Sequence, residues 1–326
     1  MRIRGGCAVL WRQQGVSQIG TSPERRIIIN DLSLAEQRLL DELARSLEVG
    51  GVYRTARRSR VPVARARQIV EDLKHQGIVV PSTASEPGGA DGVYWDRLGT
   101  DAKSRATVLS QTILAVHGIS ALAQEAALWL AEAGVGTILS TLAPKDGGLE
   151  PLLSARFPAL RTRAPLRTRP DVMVTVDPHV VEPLLARRLA QEGVIHLPVV
   201  VGEAGVRIGP VLGGGGPCAT CLDLWERDAD PCWPALATQM RTLPMPDVEH
   251  LVLHESAALT ARATIDTVLG RAASVGAPGD DSDHDGDPVG RSATWWARHS
   301  VEVTGQEPLG RQRAWKRHPE CLCSQL

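Results

Sequence analysis

The sequence is poor in aromatic residues other than tryptophan and lacks any long apolar run. Its 326 residues include one Phe and two Tyr against eight Trp. Aromatic side chains interleaved with basic ones are the usual platform for single-stranded nucleic acid, so this composition disfavours that class of partner. No apolar stretch approaches the roughly 20 residues that span a bilayer, and the first six residues lack the apolar core of a signal peptide. We therefore expect a soluble, cytoplasmic protein without a membrane partner.

An excess of charge of one sign is also missing over the whole chain, whose formal net charge is -1. The distribution is uneven, because residues 1–81 carry 14 Lys/Arg against 8 Asp/Glu. The length suits two domains of ordinary size, each with its own apolar core. We therefore expect a basic N-terminal domain followed by a larger acidic one.

Four of the six cysteines form two close pairs, a C-x-x-C pair and a C-x-C pair: Cys218 with Cys221, and Cys321 with Cys323. Four thiolates can close a tetrahedral zinc site with zinc–sulfur distances of about 2.3 Å. A disulfide is disfavoured in a reducing compartment, and a reactive dithiol is the other alternative. The pattern predicts a structural zinc ion that fastens the C-terminus to the body of the protein, with Cys232 as a spare ligand.

The N-terminal region has the pattern of a small domain of strands followed by helices. Short apolar runs separated by turn residues predict an antiparallel meander over 7–11, 16–20 and 26–30. Ser33 and Glu36 form a capping box that opens a helix to Leu47. Two further helices, the second from Pro62 to Gln76, and a strand at 78–80 complete the outline of a winged-helix-like domain, which we expect over 1–81.

Residues 82–104 read as a linker that is rich in Ser, Pro and Gly at its start. From 105 to 326 the apolar runs predict a Rossmann-like α/β domain. The expected strands are 107–116, 136–140, 171–177 and 195–201, and the expected crossover helices are 119–133 and 180–192. Strands that alternate with helices in this way predict a mainly parallel sheet with helices on both faces.

Several motifs of the second domain together resemble the ThiF-like family, which has the fold of the ubiquitin-activating-type adenylating enzymes. They are Gly209-Pro210-Val211 before the glycine run, Pro217 with the C-x-x-C pair, Asp230-Pro231-x-Trp233-Pro234, and His318-Pro319-x-Cys321-x-Cys323. The nearest branch serves azole-forming peptide biosynthesis and is known as cyclodehydratase partner or leader-peptide-binding proteins. The resemblance covers nearly the whole chain. It implies a precursor leader peptide and a YcaO-type modifying enzyme as partners, and a homodimer through the ThiF-like domain.

The resemblance also implies a nucleotide site, and there the sequence departs from the family pattern. The three positions of the G-x-G-x-x-G turn, which lets the backbone approach phosphate, correspond to Gly118, Ser120 and Ala123. Ser140 stands where an acidic ligand of the ribose is expected. Asp177 matches the metal-binding aspartate of the family, although an Asp before a proline is also a common turn former. These departures predict that ATP is not bound, with an ATP-dependent adenylyltransferase as the alternative.

The first candidate function is a non-catalytic scaffold that captures a leader peptide by strand addition. The peptide would pair with the open edge of the strand formed by Arg26, Ile27, Ile28 and Ile29. Alternate peptide side chains would enter a groove beside the Pro62–Gln76 helix, lined by Val63, Arg67 and Val70, with Arg67 facing an acidic side chain. The ordinary alternative is that Ile27 and Ile29 are simply core residues.

A winged-helix DNA-binding regulator is a further alternative. Six arginines on the second and third helices could contact phosphates: Arg54, Arg57, Arg58, Arg60, Arg65 and Arg67. Solvated helix faces also collect arginine, so this pattern alone is weak, and nucleic acid is not the expected partner.

Overall fold

The computed structural model describes residues 2–45, 51–80, 89–142, 148–276 and 288–324. Contacts within the chain divide it into two compact units, Met1–Ala106 and Thr107–Leu326. No helix among the described residues is both long enough and apolar enough to cross a membrane.

The first unit is built of short strands and helices. In chain order they are β1 (Arg2–Ile3), β2 (Val9–Gln13), β3 (Val16–Ile19), β4 (Ile27–Ile29), α1 (Leu34–Arg45), α2 (Gly51–Ser59), α3 (Val63–His75), β5 (Val79–Val80), α4 (Gly89–Arg97) and α5 (Ala102–Gln111), the last crossing the boundary to the second unit.

Strands β2, β3 and β4 form a three-stranded antiparallel sheet in that order, as the alternating apolar runs predict. Its hairpin is held to α1 by Gln37, which is fully buried. The Gln37 amide nitrogen donates to the carbonyls of Gln13 (3.0 Å) and Val16 (3.1 Å), and its oxygen accepts from the Gly15 N–H (3.0 Å). A buried amide with all its partners fixes the sheet against the helix.

The capping box at the start of α1 is present as predicted. The Ser33 hydroxyl accepts from the Glu36 N–H (3.2 Å), and the Glu36 carboxylate accepts from the Ser33 N–H (2.7 Å). Arg65 donates to the same carboxylate at 2.6 Å, which ties α3 to the start of α1. The core of the unit lies between the helices and the strands and is formed by apolar side chains: Ile3, Ile19, Leu32, Leu39, Leu40, Ala56, Val61, Ala66, Ile69, Val70, Leu73, Ile78 and Val79.

The segment 82–104, expected to be a linker, contains α4 and the start of α5 instead. Asp96 of α4 is buried and accepts hydrogen bonds from Arg2 and from the Gly5 N–H, the latter at 2.6 Å. Arg97 donates to the Gly5 carbonyl at 2.7 Å. A Cβ on Gly5 would lie 2.1 Å from Cγ of Arg97, so only glycine permits this close approach. The helix forms because it packs on residues 2–6, a contact that local composition does not reveal.

The second unit alternates strands and helices and ends in a hairpin. Its elements are β6 (Ile113–His117), α6 (Ala121–Glu132), β7 (Thr137–Ser140), α7 (Glu150–Arg156), β8 (Val172–Pro178), α8 (Pro183–Glu192), β9 (Ile195–Val201), β10 (Gly205–Ile208), α9 (Ala219–Ala229), α10 (Trp233–Met240), α11 (His250–Gly276), α12 (Pro288–Trp296), β11 (His299–Thr304) and β12 (Glu307–Ala314).

The strands of the second unit form one seven-stranded sheet in the order β12-β11-β10-β9-β8-β6-β7. The pairs among β9, β8, β6 and β7 are parallel, and β10, β11 and β12 extend the sheet by antiparallel pairing. Apolar side chains of α6, α11 and α12 pack on one face, and Leu189 of α8 packs with Ala115 and Met173 on the other. Helices therefore cover both faces, as expected.

One expectation for this unit is corrected by the structure, and three strands were not foreseen. Residues 107–111, assigned with 112–116 to one strand, end helix α5, and β6 begins only at Ile113. The Thr112 hydroxyl donates to the Val108 carbonyl at 2.8 Å, and the buried Leu109 lies on the inner face of the helix. β-branched residues favour strands only weakly, and here helical packing outweighs that preference. The antiparallel strands β10 to β12 were not predicted.

Candidate functional sites

The four predicted metal ligands lie together. Their sulfur atoms are all within 4.8 Å of one another. The helical pair, Cys218 and Cys221, lies at the start of α9, and the C-terminal pair, Cys321 and Cys323, lies after β12. The measured separations are 3.7 Å within the helical pair, 3.5 Å from Cys218 to Cys321, and 3.5 Å from Cys221 to Cys323.

These distances fit a tetrahedral metal site. Sulfurs at about 2.3 Å from a central zinc ion are about 3.8 Å apart, whereas a disulfide would bring two of them to about 2.05 Å. Burial raises the pKa of Cys321 and of Cys323 above the usual thiol range. Several thiolates at this spacing repel one another unless a cation lies between them. The cluster therefore has the geometry and the chemistry to hold a metal ion, whereas Cys232 is exposed and lies outside it.

The tail that carries the C-terminal pair is fastened by tryptophans. Trp315 is buried, and its indole N–H donates to the Ser300 hydroxyl at 2.8 Å. The indole N–H of Trp225 on α9 donates to the Lys316 carbonyl at 2.9 Å. His318, which entered the sequence argument only as part of a motif, donates to Asp228 of α9 at 2.8 Å. In the sequence, the one signal for His318 was its position three residues before Cys321.

Strand β4 forms one edge of the three-stranded sheet. Within the part of the chain that the structure describes, its only strand partner is β3, with Ile27 opposite Ile19 and Ile29 opposite Ser17. Ile27 and Ile29 pack against the core, and Ile28 is 41% exposed on the other face. Ile27 and Ile29 can therefore be core residues while the outer edge of β4 stays open.

The direction of the backbone groups on β4 follows from the neighbouring pair. The Gly20 N–H donates to the Ala8 carbonyl at 2.9 Å. Hydrogen-bonded and non-hydrogen-bonded residues alternate along antiparallel strands, so the even-numbered residues of β3 bond to β2 and the odd ones bond to β4. Ile27 and Ile29 consequently direct their N–H and C=O groups to β3. Ile28 directs both groups away from the sheet, toward the open edge.

The predicted groove residues on α3 have different environments. Arg67 is exposed, Val63 is half-buried against the core, and Val70 is only 3% exposed inside it. A peptide could reach Arg67 directly and Val63 in part. Val70 could serve only as the floor of such a groove. Arg26 is exposed just before β4.

Arg58 and Arg65, both considered for DNA contact, are held by carboxylates. Arg58 pairs with Glu42, and Arg65 pairs with Glu36 at 2.6 Å. Both contacts lie within the first unit and tie its helices together. They weaken the case for a continuous phosphate-binding face.

The predicted nucleotide site lies at the end of β6 and the start of α6. Gly118 has a φ of 141°, and a Cβ there would lie 3.1 Å from Cβ of Val176 and 3.3 Å from Cβ of Ala123. Ser120 is the N-cap of α6, and its hydroxyl accepts from the Ala123 N–H at 3.3 Å. Close packing of helix on strand thus explains the glycine without any ligand, and Ser120 occupies one of the helix N–H groups that a phosphate would need.

Ser140 ends β7 and is engaged by the following loop. Its hydroxyl donates to the Leu142 carbonyl at 3.0 Å and accepts from the N–H groups of Leu142 and Leu149, both at 3.3 Å. The Ser140 hydroxyl, with its bonds already made to this loop, does not replace the carboxylate that binds a ribose in the family pattern.

Asp177 lies in a buried polar chain that the sequence argument missed. The Thr175 hydroxyl donates to Asp177 at 2.7 Å and lies 2.9 Å from Nε2 of His196. Since the hydroxyl proton goes to Asp177, Nε2 of His196 must donate, and the buried Nδ1 has no hydrogen-bond partner among the described residues. Burial raises the pKa of Asp177 and lowers the pKa of His196 to about 4. The alternation Thr175-x-Asp177 on one face of β8 was the available signal.

No protein-family model matches the chain, and no curated protein sequence matches it. Solved structures share its fold over nearly its whole length. E. coli MccB with ATP aligns with a TM-score of 0.60 at 12% identity and covers 98% of both chains. The microcin C7 biosynthetic enzyme MccB in complex with N-formylated MccA gives 0.61 at 12% identity, again over 98% of both chains.

A heterocyclase in complex with substrate and cofactor gives a TM-score of 0.65 at 15% identity, over 98% of this chain and 39% of the heterocyclase. At these identities the likeness establishes the fold alone. The fold is mixed α/β, and its seven-stranded sheet fits the Rossmann-like ThiF architecture that the cysteine and Trp-Pro motifs suggested.

Proposed function

We propose that this protein is a non-catalytic ThiF-like scaffold of ribosomal peptide natural product biosynthesis. It binds a precursor leader peptide and presents it to a separate YcaO-type cyclodehydratase. The observation that carries the proposal is the open edge of β4, where Ile28 offers an outward N–H and C=O for strand addition. The solved structures of the same fold support the class of process, since one is a microcin biosynthetic enzyme with MccA and another is a heterocyclase with its substrate.

The first unit, taken as a winged-helix-like recognition domain, provides both parts of such a site. Backbone pairing along β4 supplies affinity that does not depend on peptide sequence. Specificity comes from side chains beside the edge, where the exposed Arg26 and Arg67 favour a leader with acidic residues. Ile27 and Ile29 hold the strand in place from the core side.

The absence of ATP chemistry is part of the proposal. Ser120 and Ser140 are bonded to their own backbone neighbours, and the Asp177 carboxylate is bonded to Thr175. Each of the three positions that would hold phosphate, ribose and magnesium is thus occupied by an internal contact. A nucleotide would have to replace those contacts before it could bind.

The metal is proposed to be zinc with a structural role. A closed site of four cysteines has no open position for a substrate, and sulfur ligands at tetrahedral spacing favour zinc over magnesium or calcium. The ion would join α9 to the C-terminal tail. We further propose a cytoplasmic homodimer through the second unit, for which light scattering should give about twice the 35.0 kDa chain mass.

Binding of leader peptides to the full chain tests the proposal. The probes are synthetic peptides that cover the N-terminal halves of precursors encoded beside this protein's gene, and the measurement is isothermal titration calorimetry. We expect one cognate leader to bind, and Arg67→Glu to weaken binding because it reverses a charge facing an acidic peptide. Arg57→Glu, on the exposed face of α2, is the matched control. Failure of every such leader to bind would contradict the proposal.

An adenylyltransferase is the second candidate, favoured by the likeness in fold to MccB, which has been crystallised with ATP. Pyrophosphate exchange in the presence of the peptides separates the two, because only an adenylating enzyme exchanges label into ATP. A signal that requires Asp177 would favour this candidate over the scaffold.

A further inference from the structure

The two cysteine pairs of the cluster come from distant parts of the second unit, and a buried histidine precedes the C-terminal pair in the sequence. The helical pair belongs to the start of α9, and the C-terminal pair follows β12. His318 lies in the tail that leads to the C-terminal pair, with a side chain that is 3% exposed. It is not one of the clustered ligands. A buried imidazole that holds no metal needs other partners for both ring nitrogens.

Both ring nitrogens of His318 have such partners. Nδ1 accepts from the Glu320 N–H at 3.1 Å, so the proton of the neutral ring lies on Nε2, which donates to Oδ2 of Asp228 at 2.8 Å. The first bond turns the tail immediately before the C-terminal pair. The second ties that turn to the last part of α9, the helix that carries the helical pair.

Two further contacts hold the same turn. The His318 carbonyl accepts from the Cys321 N–H at 3.0 Å, which directly fixes the backbone of the first ligand of the C-terminal pair. The ring of Trp225 on α9 packs edge-on against the imidazole, with 4.7 Å between ring centroids. His318 therefore contacts α9 through its side chain and a ligand residue through its backbone.

We propose that His318 is a positioning residue for the metal centre, acting through Asp228 to set the C-terminal pair opposite the helical pair. The inference rests on the proposed metal site. Partners that orient metal ligands from outside the ligand set commonly change metal affinity by about 10- to 100-fold when they are removed.

Zinc release from the full chain tests this role. The protein as purified is mixed with excess EDTA, and the zinc remaining in it is followed over time for the parent and three variants. We expect His318→Ala to release zinc at least about 10-fold faster than the parent. His318→Gln, whose amide can still donate to Asp228, should recover part of the difference. His250→Ala, at the exposed start of α11, should match the parent.

Alkylation read by mass spectrometry separates positioning from a general loss of structure. In His318→Ala the C-terminal pair should react before the helical pair, with the exposed Cys232 as the internal reference. A variant that is merely less folded would expose both pairs together. Asp228→Ala should also release zinc faster than the parent, and the effect of the double variant should be smaller than the product of the two single effects, because both single variants lose the same His318–Asp228 bond.

The outcomes separate this inference from the metal site itself. If the parent contains no bound metal, the proposed metal site and the positioning role of His318 are both wrong. If the parent holds zinc and His318→Ala releases it at the parent rate, only the positioning role is overturned. Should His318→Ala not fold, parent-like release from Asp228→Ala would overturn it equally.

Discussion

Single side chains decide whether the cysteine cluster closes around an ion. The sulfurs are 3.5 to 3.7 Å apart along three edges of the cluster, so a metal needs little rearrangement to bind. Each thiol removed leaves three ligands and an open position. A structural site depends on all four, because a closed tetrahedral site needs every one of its ligands.

Cys321→Ser should therefore release the metal and destabilise the second unit. Structural zinc contributes about 10–16 kcal/mol apparent in zinc-finger peptides, and losing about a third of that would lower Tm by about 10 °C. Elemental analysis and thermal melting check this, with one zinc per chain expected in the parent. Cys232→Ser, outside the cluster, is the control and should change neither. A Cys321→Ser protein that melts like the parent would contradict a structural role.

The lowered pKa of His196 predicts that the protein is less stable in acid. Its pKa is lowered to about 4 in the fold, mainly by burial, whereas the unfolded chain has the ordinary value near 6.5. Between pH 4 and pH 6.5, this histidine is protonated more in the unfolded state than in the folded state. The free energy of unfolding therefore has its full value above about pH 6.5 and falls by on the order of 3 kcal/mol as the pH approaches 4. Denaturant unfolding at pH 7, 5.5 and 4 measures the slope.

His196→Gln is the matched variant for that measurement, because its amide can still donate to Thr175 but does not titrate. The variant should flatten the slope between pH 6.5 and 4. An unchanged slope would mean that other groups cause the acid loss.

The sequence was informative about ligands and less so about the contacts around them. A C-x-x-C and a C-x-C pair predict four candidate metal ligands by themselves, and the structure brings those four sulfurs together. By contrast, the hydrogen bond between Thr175 and His196 joins the neighbouring strands β8 and β9. Only the register of β8 and β9 brings them together, and a linear pattern does not fix that register.

At the scale of elements, α4 belongs to the first unit. It is joined to residues 2–6 by the Asp96 and Arg97 contacts described above. Arg4 is bound in turn to the Gly77 carbonyl at 2.7 Å, which connects the same turn to the end of α3. A fragment that stops at residue 81 lacks one side of this arrangement.

A fragment of residues 1–106 should accordingly be more stable than a fragment of residues 1–81. The shorter fragment loses the Arg2–Asp96 pair and the hydrogen bonds of Asp96 and Arg97 to Gly5, and a hydrogen bond to a charged group contributes about 1.5–3 kcal/mol. Chemical unfolding followed by circular dichroism compares the two, and Asp96→Ala in the longer fragment should reproduce most of the difference. Equal midpoints for the two fragments would contradict the assignment of α4 to this unit.

The elements that the sequence failed to predict have physical explanations. Strand β12 is exposed along most of its length and contains Pro308 and Gly310, both unfavourable in strand interiors. It forms because its backbone pairs with β11 at the edge of the sheet. Helix α1 was predictable because its capping box, Ser33 with Glu36, is a local signal. Edge strands depend on a partner that lies elsewhere in the sequence.

For the whole molecule, the likeness to MccB makes nucleotide binding the main competing account. If the scaffold proposal holds, millimolar Mg-ATP should leave the Tm of the parent unchanged, because Ser120, Ser140 and Asp177 are each hydrogen-bonded within the protein. A ligand at about 100 times its dissociation constant would instead stabilise the fold by about 2.7 kcal/mol. Differential scanning fluorimetry distinguishes the two outcomes, and a shift of several degrees would favour the adenylyltransferase.

The central claim is peptide capture at the edge of β4, and leader affinity of Ile28→Pro in the full chain tests it most directly. Proline removes the outward N–H of Ile28 and leaves the bonds from β4 to β3 intact. With a cognate leader we expect affinity to fall about 10-fold, which corresponds to one lost hydrogen bond of about 1.4 kcal/mol. Two folded controls accompany it.

Ile28→Ala keeps the backbone N–H and should bind nearly as well as the parent. Trp11→Pro removes an outward N–H from β2, the opposite edge of the same sheet, and should not change binding. The account predicts a loss of affinity for Ile28→Pro alone, measured by titration calorimetry. Parent-like affinity in a folded Ile28→Pro protein, or an equal loss in Trp11→Pro, would contradict it.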